Sequence, residues 1–375
     1  MHDVIVIGGG LAGAATAYFL AVDGVSTLLL ERHDLNTQAS GANAGGLHGQ
    51  IPYEPFAEEG DAWMAGFAPV LDLMTAAVAL WRELPAMLRT DLEVAMTGGL
   101  IVASSEADLR RLERKARIER RHGLDVELLD RTALRDFAPY VSDTMIGGAF
   151  CATEGNANPL RATPAFAARA IQHGAKICTY TNVIGVARQS GGFRVHTDRG
   201  DFDGARVVDA AGADAARIAA MLGVTLAIEG EPIQASVTER VAPLVPHLLY
   251  YTGSMLTLKQ TAQGTLIIGG GWPAALDPQQ RPVVDAESLV RNLAVAIDVV
   301  PALASLHVVR SWAGVVNGTK DWRPILGECS SVPGFYVSFF PWVGFTAGPL
   351  AGRIVASLVQ GKPPPVDVDV RAFTP

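Results

Sequence analysis

Apolar residues run unbroken from Val4 to Ile7, the pattern of a strand buried on both faces of a parallel sheet. A glycine cluster follows, then a small-residue stretch over 12–21 that stops at Gly24, then a second apolar run over 25–30 closed by Glu31. That order predicts a β-α-β unit. Beyond Glu31 the repetition ends, because residues 36–50 are Ser, Gly, Ala and Asn with neither helical nor strand period, and they read as a loop. Helical patterns return over 62–89 and 106–122, on either side of a strand over 99–103, and again over 159–173. Residues 176–180, 183–188 and 193–197 read as short strands, and 206–211 leading into a helix over 213–222 forms a second strand-to-helix junction. From 228 to 272 short strand runs alternate with turn residues, including 248–252, 255–260 and 265–269, as in an antiparallel sheet. A helix over 285–299 and a closing block over 310–359 complete the order, with no internal repeat.

A chain of 375 residues exceeds what one core usually supports, so two domains are expected. The pattern predicts an α/β fold with an α+β part. Apolar residues make up 49% and charged residues 18%, which suits a packed globular enzyme and excludes a disordered chain. A net charge of -8 gives no support to nucleic-acid binding. Cys151, Cys178 and Cys329 lie far apart, with no histidine at ligand spacing, so no metal, iron–sulfur cluster or disulfide framework is expected. The first strand leaves no room for a signal peptide. Residues 339–359 are the one stretch resembling a membrane span, but Pro341, Pro349, Arg353 and three glycines make it read as a loop and a buried helix. A soluble, cytoplasmic protein without a transmembrane span is the expectation.

Gly8, Gly10 and Gly13 satisfy G-x-G-x-x-G in the required setting of strand, turn and helix. The first glycine makes the turn, the second admits a pyrophosphate, the third lets helix and strand pack, and the helix N-terminus supplies N–H groups and positive dipole. Glu31 ends the next strand, where a carboxylate accepts from ribose hydroxyls. An NAD domain would continue with further β-α units, whereas this chain breaks into Ala39-Ser40-Gly41-Ala42-Asn43-Ala44-Gly45-Gly46. Such a loop offers backbone N–H groups to a large planar ring and a pyrophosphate, which favours FAD.

These motifs, with Glu31-Arg32, Asn158-Pro159, Val207-Val208-Asp209-Ala210-Ala211-Gly212, Trp312-Ala313-Gly314, Asp321, Pro324-Ile325-Leu326-Gly327 and Gly334-Phe335-Tyr336-Val337, resemble the D-amino-acid oxidase superfamily of FAD-dependent amine oxidoreductases along nearly the whole chain. Within it, the stretch from Ser40 to His48, Lys259-Gln260 and Gly269-Gly270-Gly271-Trp272 are similar to the β-subunits of opine oxidases and hydroxyproline dehydrogenases, which work beside other chains. The resemblance implies a Rossmann-like FAD domain assembled from 1–80, 146–226 and 310–375, and a substrate domain with an antiparallel sheet from 81–145 and 227–309. It implies cofactor contacts at Gly8, Gly10, Leu11, Ala12, Gly13, Glu31, Arg32, Ser40, Asn43, Ala44, Gly45, Gly46 and Leu47. It further implies Val183 at the adenosine, Ala211 and Gly212 on the pyrophosphate side, and Gly344, Phe345 and Thr346 at the flavin's pyrimidine edge.

The implied reaction is hydride transfer from the carbon beside a neutral amine to flavin N5, leaving an imine that water hydrolyses, with the flavin carrying the chemistry. It calls for no catalytic triad but for a carboxylate anchor, ideally an arginine. Glycine-oxidase-like relatives follow Trp-Ala-Gly with Leu-Arg-Pro; this chain has Val315-Val316-Asn317. Replacement candidates are Lys259, Tyr250 or Tyr251, His48 and Arg310, with an ion pair the favoured role for Arg310. His48, Tyr251 and Lys259 are taken as the catalytic set. No cysteine lies near the 312–321 motif, so non-covalent FAD is expected. The cluster Arg110, Arg111, Arg114, Lys115, Arg117, Arg120 and Arg121, interspersed with Glu106, Glu113 and Glu119, reads as a solvated helix face, or as a contact surface if partner subunits carrying electron-transfer cofactors exist. Two readings compete with amine oxidation: a 2-hydroxy-acid dehydrogenase, and an electron-relay or scaffold subunit.

Overall fold

A computed structural model describes residues 1–60 and 63–375. Two eight-stranded sheets carry the fold. In the first, His2–Ile7 runs parallel between Thr27–Leu30 and Gly200–Asp209, so that Val4 pairs with Thr27 on one side and Arg206 on the other. Lys176–Cys178 extends the sheet beyond Thr27–Leu30, and Phe335–Phe339 lies parallel to Gly200–Asp209 at the other side. The unbroken apolar run is explained by burial on both faces, since Val4, Ile5 and Val6 expose no surface. Val4 and Val6 pack beneath the helices Leu11–Val22 and Gly344–Val359, while Ile5 and Ile7 pack against Val183, Phe193 and Ile218. The two helices touch through small residues, and a Cβ on Gly352 would stand 2.7 Å from the Thr16 nitrogen.

The second sheet runs in the order Val308–Gly318, Glu229–Arg240, Thr265–Gly269, Thr257–Gln260, Leu248–Tyr251, Gly99–Ala103, Gly147–Cys151, Val126–Asp130. It is antiparallel except where Leu248–Tyr251 runs parallel to Gly99–Ala103. Leu249, Leu258 and Ile268 pack on the helix Ala286–Val299. By alternation Leu248, Tyr250, Thr257, Lys259 and Ile267 share the other face, because Tyr250 pairs with Thr257 and Lys259 with Ile267.

Several boundaries differ from expectation. Gly147–Cys151 and residues 310–318 of the strand Val308–Gly318, assigned by sequence to the cofactor domain, hydrogen-bond into the second sheet, because strand pairing is decided far along the chain. The helix predicted over 62–89 spans Tyr53–Leu88 and is interrupted by Gly60 at φ 70°; Ala62, its predicted start, lies outside the described residues. The loop over 36–50 contains a helical turn, Ala39–Ala42, and a short strand, Gly46–Leu47, paired with Gly155–Asn156. Among the described residues Trp63–Leu88, not 339–359, is the helix long and apolar enough to cross a membrane. Half of its apolar window is buried, and the helix that contains it packs on Gly344–Val359, itself too short to span.

Candidate active site

The strand His2–Ile7 delivers the chain into a turn that only glycine can make. Gly8 has φ +110°, and a Cβ there would lie 2.5 Å from the Ala210 carbonyl oxygen. A Cβ on Gly13 would lie 2.0 Å from the Gly8 oxygen. The helix beginning at Leu11 has Gly10 as its N-cap, no side-chain cap and no acidic residue in its first turn. Its first backbone bond runs from Ala14 N to Gly10 O, so Ala12 and Gly13 present N–H groups without a helical acceptor. Leu11 N donates to Ser40 Oγ at 2.9 Å, which brings the 36–50 loop over the turn. Glu31 accepts from Gly9 N at 2.6 Å and His33 N at 2.7 Å. Arg32 pairs with Asp214, beside Ala211 and Gly212. Val183 is buried, its carbonyl accepting from Arg217. A helix end with no acidic residue in its first turn, with the Ala12 and Gly13 N–H groups lacking a helical acceptor and with no Cβ at Gly8, Gly10 or Gly13, fits a dinucleotide pyrophosphate.

Asp209 stands directly behind this turn. It is fully buried, Oδ1 accepting from Ala211 N at 3.1 Å and Oδ2 without a partner among the described residues. Burial pushes its carboxyl well above the usual range.

The loop continues toward the second sheet. Asn43 holds it in shape, donating to the Ala39 and Ser40 carbonyls and accepting from Gly45 N at 2.7 Å. Gly45 has φ +79° and must lack a side chain, since a Cβ would meet the Ala157 oxygen at 2.2 Å and Lys259 Nζ at 2.6 Å. Leu47 is fully buried opposite Gly155. At the start of Gly344–Val359, Thr346 accepts from His48 N at 2.9 Å and donates to the Gly46 carbonyl. Trp81 donates to the Thr346 carbonyl and packs against the Phe345 ring. Trp312 Nε1 donates to the Ala42 carbonyl at 2.7 Å, seating Val308–Gly318 on the loop.

Ala44, Gly46 and His48 line a small recess together with Leu248, Thr257, Leu258, Lys259 and Ile267. Lys259 is 3% exposed, and burial pushes its amine down to about 7, with Glu93 acting weakly against that shift. His48 Nδ1 lies 2.7 Å from the Tyr250 hydroxyl. Tyr251, the next residue of the strand, turns to the opposite face and bonds Ser104 at 2.8 Å, so Tyr250 and not Tyr251 meets His48. Arg310 is exposed and makes no ion pair among the described residues, contrary to the role expected of it. Val316 pairs with Glu231 on the edge strand, where no basic side chain replaces the expected arginine.

Sequence reasoning missed a buried polar group behind His48. Glu154, with no exposed surface, accepts from the Tyr250 hydroxyl at 3.0 Å and from Gly49 N, Gln50 N and Gln50 Nε2. Lys115 and Glu119, read as part of a solvated helix face, are also fully buried, 2.6 Å apart. Their signal was the apolar spacing of Leu112, Ala116 and these two positions along one face of Glu106–Arg121.

Comparison with known proteins follows the same lines. The family model for FAD dependent oxidoreductases (DAO) matches residues 3–358. The β-subunit of sarcosine oxidase from Rhizobium meliloti (strain 1021) is 27% identical, over 96% of this chain and 85% of the relative. The B component of opine oxidase from Agrobacterium tumefaciens (strain Ach5) is 28% identical, over 89% and 87%. The crystal structure of glycine oxidase from Geobacillus kaustophilus superposes with a TM-score of 0.88 at 25% identity, covering 100% of this chain and 98% of that one. The chain belongs to the DAO family and is an FAD-dependent oxidoreductase.

Proposed function

We propose that the protein oxidises an amine or secondary amino acid, of the opine, D-hydroxyproline or D-amino-acid type, at the recess beside Gly46. The observation that carries this reading is the convergence of His48, backed by the Tyr250 hydroxyl, and Lys259 at a recess walled by the same loop whose Ser40 bonds the glycine turn. Relatives named for sarcosine, glycine and opine oxidation support the substrate class. When bound, FAD supplies the hydride-accepting chemistry.

The chain's own residues hold and orient. Gly8, Gly10, Leu11, Ala12 and Gly13 receive the pyrophosphate, with Ala211 and Gly212 on its far side and Ser40, Asn43, Ala44, Gly45, Gly46 and Leu47 covering it. Glu31, Arg32 and Val183 serve the adenosine half, and Gly344, Phe345 and Thr346 the pyrimidine edge. Attachment is non-covalent in this reading, since no cysteine lies near the motif over 312–321 and Cys329 lies beyond it. Lys259 is the cation that answers a substrate carboxylate in place of an arginine at Val316, and His48 meets the amine. The cofactor unit then comprises 1–80, 152–226 and 319–375, and the substrate unit 81–151 and 227–318, following the observed strand pairing. Two relatives named as parts of larger enzymes, the sarcosine oxidase β-subunit and the opine oxidase B component, support a place in a heteromeric dehydrogenase.

Anaerobic mixing with a panel of secondary and D-amino acids is expected to bleach the flavin bands, with parallel 2-hydroxy acids leaving them intact. Bleaching by hydroxy acids alone would transfer the site to alcohol oxidation. No bleaching by either panel, together with no turnover when an artificial dye is supplied in a separate assay, would favour a relay subunit.

A further inference from the structure

The hydrogen bonds behind His48 can be followed proton by proton. Gln50 Oε1 accepts from the Lys115 ammonium at 3.1 Å, so its amide NH2 faces Glu154, 2.9 Å away. Glu154 Oε1 accepts from the Gly49 and Gln50 N–H groups at 2.6 and 2.8 Å. Its Oε2 receives the amide and the Tyr250 hydroxyl. Every neighbour is a donor, and the site is shaped for that carboxyl, since a Cβ on Gly99 would lie 1.8 Å from Oε2. The Tyr250 hydroxyl has one hydrogen, and it is directed at Glu154. Its oxygen therefore accepts at the 2.7 Å contact with His48, and the hydrogen there belongs to Nδ1. A neutral imidazole has a single N–H, so Nε2 is left with a bare lone pair. Nε2 meets no hydrogen-bond partner among the described residues, and its end of the ring lies against Gly46 at the recess, where a Cβ would be 2.5 Å away.

We propose that Glu154, acting through Tyr250, holds His48 as the Nδ1–H tautomer and so makes Nε2 the acceptor for an N–H of the substrate. Glu154 is a positioning residue, two hydrogen bonds from the recess. A substrate entering as an ammonium passes one proton from its nitrogen to Nε2. The amine left behind is neutral, and the imidazolium keeps its Nδ1–H on Tyr250 while facing the Glu154 carboxylate. The charged groups facing the ring act in opposite senses: burial, the largest influence, lowers its basicity, Glu154 raises it and Lys259 lowers it. The role of Nε2 rests on the amine reading of the recess; the tautomer does not.

The test is histidine-15N NMR on the holoenzyme, with the His48 signal assigned by its loss in His48→Asn. The expected result is protonated Nδ1 and bare Nε2. In Glu154→Gln the new amide competes with Gln50 for the same contacts, so Tyr250 accepts from it and turns its hydrogen to Nδ1, reversing the His48 tautomer. In the same variant, anaerobic flavin reduction by an amine substrate is expected to slow by about 100-fold with FAD content unchanged. Tyr250→Phe, which removes the connecting oxygen, should leave both tautomers populated and serves if Glu154→Gln does not fold. A wild-type signal with protonated Nε2, or a tautomer indifferent to both substitutions, overturns the proposal. Should the tautomer stand while no amine reduces the flavin, the amine reading fails and the Glu154–Tyr250–His48 relay survives.

Discussion

Lys115 and Lys259 are both shut away from water, and they are held in opposite ways. Lys115 has an ion-pair partner in Glu119 and an amide oxygen in Gln50. Lys259 has no ion pair among the described residues, and burial pushes its amine down to about 7. Below that pH it carries a charge, and above it the charge is lost. An unreactive carboxylate ligand should therefore bind more weakly as pH rises through 7. Flavin difference titrations would show this, with the dependence abolished in Lys259→Met; a pH-independent Kd in the wild type would remove Lys259 as the anchor. Lys115→Met leaves Glu119 buried with no counter-charge and with Oε2 already unpartnered, and should cost about 3–5 kcal/mol in urea denaturation. Adding Glu119→Leu should recover much of that loss, because the uncompensated charge goes with it.

At the scale of the element, Leu248–Tyr251 shows where sequence stops being informative. Four apolar or aromatic residues in a row carry no alternation, because both faces of this strand are covered, so Tyr250 and Tyr251 look alike until the register with Thr257–Gln260 is known. The difference is measurable: Tyr251→Phe should lose about 1 kcal/mol with its Ser104 bond and keep the rate of flavin reduction, whereas Tyr250→Phe should slow reduction. The helix Glu106–Arg121 was readable in its limits, from its N-cap Ser105 to Arg121, but not in its facing. The charges suggested a solvated face, whereas Gln50 and Ile51, from a distant loop, bond Lys115 and Glu119 in the interior. The strand, turn and helix around Gly8 were readable because much of what they require is local: positive φ at Gly8, and no Cβ at Gly13 against the Gly8 carbonyl.

For the whole molecule, the succession of motifs announced the fold class, while the membership of Gly147–Cys151 and Val308–Gly318 in the second sheet depended on partners remote in sequence. The loop over 36–50 joins the glycine turn through Ser40, the last long helix through Thr346 and the second sheet through Tyr250. Stripping FAD should therefore lower Tm and loosen all three junctions together, seen as faster amide exchange at Gly46–Leu47 and at the start of Gly344–Val359. No change in exchange beyond the glycine turn would show the loop to be independent of the cofactor. The first strand also has a history during synthesis. Val4 must wait for Arg206, and the strand that carries Arg206 waits in turn for Phe335–Phe339. Until residues 200–209 have been made, the apolar run Val4–Ile7 has an open edge, so nascent chains are exposed to aggregation over that stretch of elongation, and yield should depend on chaperones and on growth temperature more than native stability would suggest.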